Sequence, residues 1–202
     1  MHWPTVELWS RSTFMAINAG PTAPAWSVAT AKVLANDLIY VVPLLLLIAW
    51  LWGGYRIRQA ALRACVVTAV ALGVGQMIGF AWPQPRPFVI HLGTAWMRHV
   101  ADPSFPSDHV TVLGAVALCM LLDGEALIGA LMFVGALCVG WARVYLGVHY
   151  PADVAGGLAV ATIAYVTVAP MWQRLGVRLT DVVQAVYRRV FALPIGAGGV
   201  RA

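Results

Sequence analysis

The sequence predicts an all-α fold: a polytopic membrane helix bundle with about five spanning helices. Three observations predict it. Of 202 residues, 61% are hydrophobic and only 10% are charged, where an ordinary soluble domain carries roughly 25% charged residues. Apolar runs approaching the roughly 20 residues that cross a bilayer recur along the chain. The arginines gather in the short polar stretches between those runs. The length suits a single domain, 1–202.

Residues 1–20 lack the basic-then-apolar order of a signal peptide. Val6, Trp9, Phe14 and Ile17 recur at near-helical spacing, with Glu7, Ser10 and Arg11 between them. That pattern predicts a short interfacial helix within an N-terminal segment, 1–30. Spans are expected over 33–52, 60–80, 109–122, 125–144 and 152–172. The apolar run 110–122 is short for a span. Either its helix begins below the membrane surface, at the floor of a pocket, or it continues through Asp123 and Gly124. The segment 175–202 predicts a cytoplasmic amphipathic helix over 180–191, followed by a Gly-rich tail.

Arg56, Arg58 and Arg63 lie in or beside the loop after the first span, and Arg174, Arg178, Arg188 and Arg189 follow the fifth. With five spans both groups share one side, which the positive-inside tendency makes cytoplasmic. The long loop 81–108 and the turn before the fifth span then face outward. The net charge of +5 fits this topology, and no nucleic-acid partner is expected. Cys65, Cys119 and Cys138 lie in apolar runs without metal-like spacing, so they are expected to be small buried packing residues.

Three blocks carry the chemistry, all on the outer face: Pro83 to Phe88, Phe105 to His109, and Arg143 to Asp153. Ser107 stands where the third span begins. It can cap the helix or turn its hydroxyl to a ligand, while the unpaired N–H groups of the first turn form an anion site. His109, in that turn, can donate a proton to a bound oxygen. Asp153 follows His149 by four residues, so it can hold one ring nitrogen and leave the other as a nucleophile. Arg86 and Arg143 can grip phosphate oxygens in bidentate fashion. Such a cluster neutralises the charge of phosphoryl transfer without a metal or other cofactor. Each residue alone has a plainer role as a cap, a headgroup anchor or a dipole-favoured acid. Their convergence on one side of a membrane points to phosphoryl chemistry. Asp37, near the outer end of the first span, is either functional or an interfacial cap. Gln76 reads as a hydrogen-bonding link between helices, and Gly75, Gly79, Gly156 and Gly157 as close-packing positions.

These blocks resemble the three-part signature of the type 2 phosphatidic acid phosphatase superfamily. Arg86-Pro87, then Pro106-Ser107 with His109, then Arg143, His149 and Asp153 match it in order and spacing. Pro85 to Phe88, His91-Leu92-Gly93, Trp96, His99 and Phe105 to His109 resemble the bacitracin-resistance type of undecaprenyl-diphosphatase. The resemblance implies a multi-pass enzyme of the bacterial inner membrane. It would act on a lipid diphosphate at the periplasmic face, with His149 as nucleophile, Asp153 orienting it and His109 handling the proton. Phosphotransfer to another lipid, or a broader action on phosphatidate or phosphatidylglycerol phosphate, stays open, as does a non-enzymatic lipid-binding bundle. The signature lysine falls at Gly79, the usual glycine is Asp108 and the serine is Ala142. Gln84, Arg98 or His99 could supply the lost contact. Asp108 is expected to turn away from the pocket or to pair with an arginine.

Overall fold

The computed structural model describes residues 5–190, all of whose regular structure is helical. Helix α1 (Thr5–Ile17) precedes α2 (Ala25–Asp37), which runs through a 3₁₀ turn (Leu38–Tyr40) into α3 (Val41–Trp52). Then come α4 (Tyr55–Ala81), a 3₁₀ turn (Pro87–Ile90), α5 (Asp108–Leu122), α6 (Ala126–Tyr145) and α7 (Pro151–Val190). Among the described residues, four stretches are long and apolar enough to cross a membrane: Ala25–Trp52, Tyr55–Ala81, Ala126–Tyr145 and Pro151–Val190.

Helix α5 has 15 residues, about 22 Å at 1.5 Å per residue, against a hydrocarbon core of about 30 Å. It packs against α4, α6 and α7 at the centre of the bundle, and most of its side chains are buried. Surrounded by protein, it need not reach both membrane surfaces. Ser107, just before it, is fully buried. At the other end Asp123 is the C-cap, and Gly124, at φ +105°, turns the chain into α6. The short apolar run therefore reflects a helix that starts below the bundle's end, not one that continues through Asp123.

Small residues set the packing. Ala60, Ala61, Ala64 and Ala71 of α4 share a core with Leu113, Val116 and Met120 of α5 and with Ala161 and Ala164 of α7. In a bilayer such residues permit the close helix contacts that dispersion needs. A Cβ on Gly157 would lie 2.9 Å from the Ser107 carbonyl oxygen, and one on Gly156 would strike the Phe105 ring. These two glycines let the first turns of α7 press against the start of α5.

Several elements differ from expectation. The first span begins at Ala25, within the segment assigned to the N-terminal region. Val28, Ala31 and Ala35 pack on Ala142 of α6 and on Leu146 just after it, while Lys32, Asn36 and Asp37 are exposed on other faces. Those polar residues hide the helix from a reading based on hydrophobicity. The fifth span and the tail helix join as one 40-residue helix despite Pro170 within it. Beyond Pro170, the helix is anchored at the end of the bundle. Arg58 packs its guanidinium against the rings of Trp50 and Tyr187, and the Tyr55 hydroxyl donates to Asp181 at 3.0 Å. The Gly-rich tail, with Phe191, lies outside the described residues.

Helix α1 also does more than lie in the headgroup layer. Phe14 is fully buried against Tyr150, and the Ser10 hydroxyl accepts from the N–H of Ala152 at the start of α7 at 3.1 Å. Trp9 is exposed, so the expected apolar face is split. Of the cysteines, Cys119 is buried, Cys138 half-buried and Cys65 exposed, the last pointing away from the bundle.

The α1–α2 turn fastens the outer loop through Asn18. Its Oδ1 accepts from the Thr94 N–H at 2.7 Å, and its Nδ2 donates to the carbonyls of Thr94 and Tyr145, each at 3.0 Å. Asn18→Ala removes all three bonds. At about 1 kcal/mol each, the loss is expected to be roughly 3 kcal/mol. Thermal unfolding in detergent should report it, together with faster proteolysis in the outer loop.

Candidate active site

The segment Leu146–Tyr150 between α6 and α7 delivers the central histidine. Gly147 adopts φ +83°, and a Cβ there would collide with the Thr94 carbonyl, so only glycine allows this turn beneath the outer loop. His149 follows and is 2% exposed. Its Nδ1 lies 3.1 Å from Asp153 Oδ2, in the first turn of α7. Its Nε2 lies 2.9 Å from Arg86 Nη1. A guanidinium only donates, so Nε2 is the acceptor and Nδ1 carries the proton to Asp153. The nitrogen with the free lone pair therefore points at an arginine.

Asp153 is itself held. Its Oδ2 accepts from the Tyr150 N–H at 2.8 Å and from the Ser104 hydroxyl. Ser104 is fully buried, and its own N–H donates to the Gln84 carbonyl at 2.8 Å.

Both arginines are buried. Arg86 donates from Nε to Asp102 Oδ1 at 2.9 Å and from Nη1 to the Val148 carbonyl at 3.0 Å. Arg143 donates from Nη1 to the Ala35 carbonyl at 3.1 Å and from Nη2 to His99 Nε2 at 2.8 Å. Among the described residues, Arg143 Nε and the Ser107 hydroxyl are buried without a hydrogen-bond partner. Ser107 makes no side-chain cap bond to α5, which leaves its hydroxyl and the N–H groups of that first turn free of side-chain partners. Buried polar atoms of this kind need an acceptor or donor. An anion with several oxygens, such as a phosphoryl group, satisfies them together.

The remaining expected residues divide. His109, in the first turn of α5, lies within electrostatic reach of Arg143, His149, His99 and Arg86. His99 belongs to the cluster: its ring stands 6.3 Å from that of His149. Arg98 is exposed and makes no polar contact among the described residues. Gln84 lines a mainly apolar cavity of about 330 Å³ that Asp153 also lines, with Trp82, Pro85, Phe105 and Tyr150. Asp108 pairs with no arginine among the described residues. It turns toward α4 and accepts from Gln76 Nε2 at 3.3 Å, so the helix link expected of Gln76 is this bond. Asp37 is exposed at the N-cap position of the 3₁₀ turn in the first span, and its side chain makes no cap bond and meets no arginine among the described residues. A Cβ at Gly79 would sit 3.3 Å from Pro103, so the outer loop occupies the start of the space a lysine side chain would need.

Sequence reasoning missed Asp102 and Ser104. Neither falls on a periodic element, because both lie in the irregular outer loop. The available signal was scarcity: in a chain with 10% charged residues, an acid in the loop that carries Arg86 is a candidate in its own right.

Burial is the main influence on His149, and it pushes the ring down to about 4. The Asp153 bond and charge oppose the shift, while Arg86 and Arg143 add to it. His99 is likewise lowered, first by burial. Burial also raises the Asp102 carboxyl, but the Arg86 hydrogen bond and charge outweigh it and hold the group below its ordinary value.

A buried site of this kind at one end of a helical membrane bundle defines a class: membrane-embedded proteins that handle phosphoryl groups. Residues 60–176 match the PAP2 superfamily model, and the chain belongs to that superfamily. It is 43% identical over 190 residues to the YbjG protein of Escherichia coli (strain K12), covering 94% of this chain and 96% of that one. It is 38% identical over 120 residues to undecaprenyl-diphosphatase BcrC of Bacillus subtilis (strain 168), covering 59% of this chain and 62% of the relative. The crystal structure of Aquifex aeolicus LpxE superposes with a TM-score of 0.66 at 21% identity, covering 79% of this chain and 93% of that one. A PAP2-type phosphatidylglycerolphosphate phosphatase from Bacillus subtilis gives 0.64 at 19% identity, covering 86% and 89%. At those identities the two structures speak to the fold.

Two outcomes follow. Ser104→Ala takes one donor from a buried carboxylate, a loss of about 1.5–3 kcal/mol. Phosphate release should fall at least tenfold in kcat with little change in KM, and Ser104→Thr should recover part of it. Because His149 is lowered to about 4, its ring should be neutral at pH 5.5, where a free imidazole is mostly protonated. Nitrogen NMR of the labelled ring in detergent would show the Nδ1–H tautomer there. A charged ring at that pH would contradict the assignment.

Proposed function

We propose that this chain removes the terminal phosphate of a polyprenyl diphosphate, with undecaprenyl diphosphate as substrate and undecaprenyl phosphate as product. The observation that carries the proposal is the relay from Ser104 through Asp153 to His149, whose unprotonated Nε2 faces the buried guanidinium of Arg86. The relatives support the substrate. BcrC is named for undecaprenyl diphosphate, and YbjG bears the same activity in its name, in provisional form.

In the proposed reaction a phosphoryl oxygen takes the place of His149 Nε2 on Arg86 Nη1. The freed Nε2 attacks the terminal phosphorus in line. An N–P bond forms and the P–O bond to the bridging oxygen breaks, so the lipid leaves as its monophosphate. His109 protonates the leaving oxygen as needed; this matters less for a phosphate than for an alkoxide leaving group. It then takes a proton from water, which attacks the phosphohistidine and releases inorganic phosphate. Asp153 holds the ring and stabilises its positive charge. Arg86, Arg143 and Ser107 hold the phosphoryl oxygens, with the N–H groups at the start of α5. His99 and Asp102 orient the two arginines. The apolar cavity beside Asp153 offers room for the first isoprenoid units. The arginine-rich end of the bundle lies in the cytoplasm, which turns the pocket outward.

Purified protein should release phosphate from undecaprenyl diphosphate faster than from phosphatidate or phosphatidylglycerol phosphate, with chelator present. His149→Ala should lose at least a thousandfold, and acid-labile radioactive phosphate should be trapped on the wild-type protein only. Near-wild-type release by His149→Ala would remove the nucleophile assignment. Preference for a monophosphate lipid, transfer to an added lipid acceptor, or dependence on a metal would replace the proposed reaction.

A further inference from the structure

At the end of the bundle opposite the catalytic cluster lies a second polar cavity, of about 320 Å³, between the start of α4, the α5–α6 turn and α7. Arg56, Gln59 and Arg63 line it from α4, and Gln173 lines it from α7. Residues 56, 59 and 63 follow helical spacing, so α4 presents them as one stripe.

Both guanidinia are brought to consecutive residues of the turn. Arg63 donates from Nη1 to Asp123 Oδ1 at 2.6 Å. A Cβ on Gly124, at φ +105°, would lie 2.7 Å from Arg56 Nη2, so the Arg56 head lies over the bare turn. Arg63 is only 8% exposed, and its guanidinium stacks over the Tyr165 ring at 4.2 Å. Its Nε is buried with no hydrogen-bond partner among the described residues. The lining thus holds two arginines and one carboxylate, which leaves it a net positive charge. Two glutamine amides beside it can add donors or acceptors.

The geometry points to a second anion site here, and we infer that it takes the phosphate group of an anionic membrane phospholipid. Guanidinium forks and amide N–H groups are the donors that phosphate oxygens call for. The surroundings select a lipid as the source of that phosphate. Trp172 and Val177 line the same cavity, and Val177 is 54% exposed, as is Trp52 at 51% on the same end of the bundle. An exposed aromatic ring such as Trp52 at the cationic end of a helix bundle is the pattern of a headgroup layer. The site shares no lining residue with the catalytic cluster, so it stands whether or not the proposed reaction is right.

Arg63 is a poor probe, because its loss strands Asp123 and could unfold the protein. Arg56→Gln, Gln173→Glu and Gln173→Lys change the cavity's charge and leave that pair intact. Native mass spectrometry of each protein, released from detergent with phosphatidylglycerol or phosphatidylcholine, counts the lipid retained. Lipid held elsewhere is common to all four proteins, so only differences report this cavity. Phosphatidylglycerol retention should fall roughly tenfold in Arg56→Gln and Gln173→Glu, the size of one charge-assisted hydrogen bond. It should rise in Gln173→Lys, with phosphatidylcholine unmoved and phosphate release within twofold of wild type. Equal phosphatidylglycerol retention by all four proteins would overturn the site. Displacement of the lipid from wild type by millimolar inorganic phosphate would overturn the lipid as occupant and identify a free-phosphate site instead.

Discussion

Asp153 Oδ2 accepts from Ser104, from His149 Nδ1 and from the Tyr150 backbone, and the rest of the site follows from that convergence. A buried carboxylate persists as an anion when hydrogen bonds replace the water it has lost. Here the donors come from the outer loop and from the α6–α7 segment, so the carboxylate ties both to the start of α7. The bond to Nδ1 sets the tautomer of His149 and turns Nε2 to Arg86. A further bond, from the Ser107 N–H to the Asp153 carbonyl at 3.1 Å, joins the start of α5 to the same helical turn. Gly156 and Gly157 are the steric condition for that contact, because any side chain would push α7 off Phe105 or Ser107.

The two buried arginines are balanced unequally. Arg86 has a carboxylate partner in Asp102, whereas Arg143, among the described residues, has a carbonyl and a neutral imidazole nitrogen. Buried charge without a counter-charge is costly. In the proposed reaction a phosphoryl dianion beside Arg143 would offset that cost. The pocket also manages without the signature lysine. At Gly79 the loop at Pro103 packs against the helix, and that loop carries Asp102 and Ser104, the groups that orient Arg86 and Asp153. One cationic contact has given way to a more firmly held arrangement of those that remain.

The bilayer imposes the other constraint. A helix of 15 residues can sit at the centre only because its neighbours shield it. Its shortness buries its N-terminal anion site beneath the first turn of α7 and the outer loop. Both lie at one end of the bundle, where a lipid headgroup is found. Helix α1 closes the flank through Phe14 and Ser10, and the apolar cavity lies between it and the outer loop.

The sequence by itself determined the membrane bundle and the order of its apolar helices, and it singled out Arg86, Ser107, His109, Arg143, His149 and Asp153 as candidates. Hydrophobic run length and the spacing of charged groups at helix ends are local quantities, legible along one dimension. Boundaries failed where a polar face masked a helix, as at Ala25, or where distant anchors such as Arg58 and Tyr187 carried a helix past Pro170. Only the tertiary structure decided that His99 joins the cluster while Arg98, Gln84 and Asp37 do not, that Asp108 turns to Gln76, and that Ser104 and Asp102 support the site. An irregular loop has no period from which side-chain direction can be inferred. Where its residues point is set by contacts with Asn18, Asp153 and Arg86, which the sequence places far away and the fold brings together.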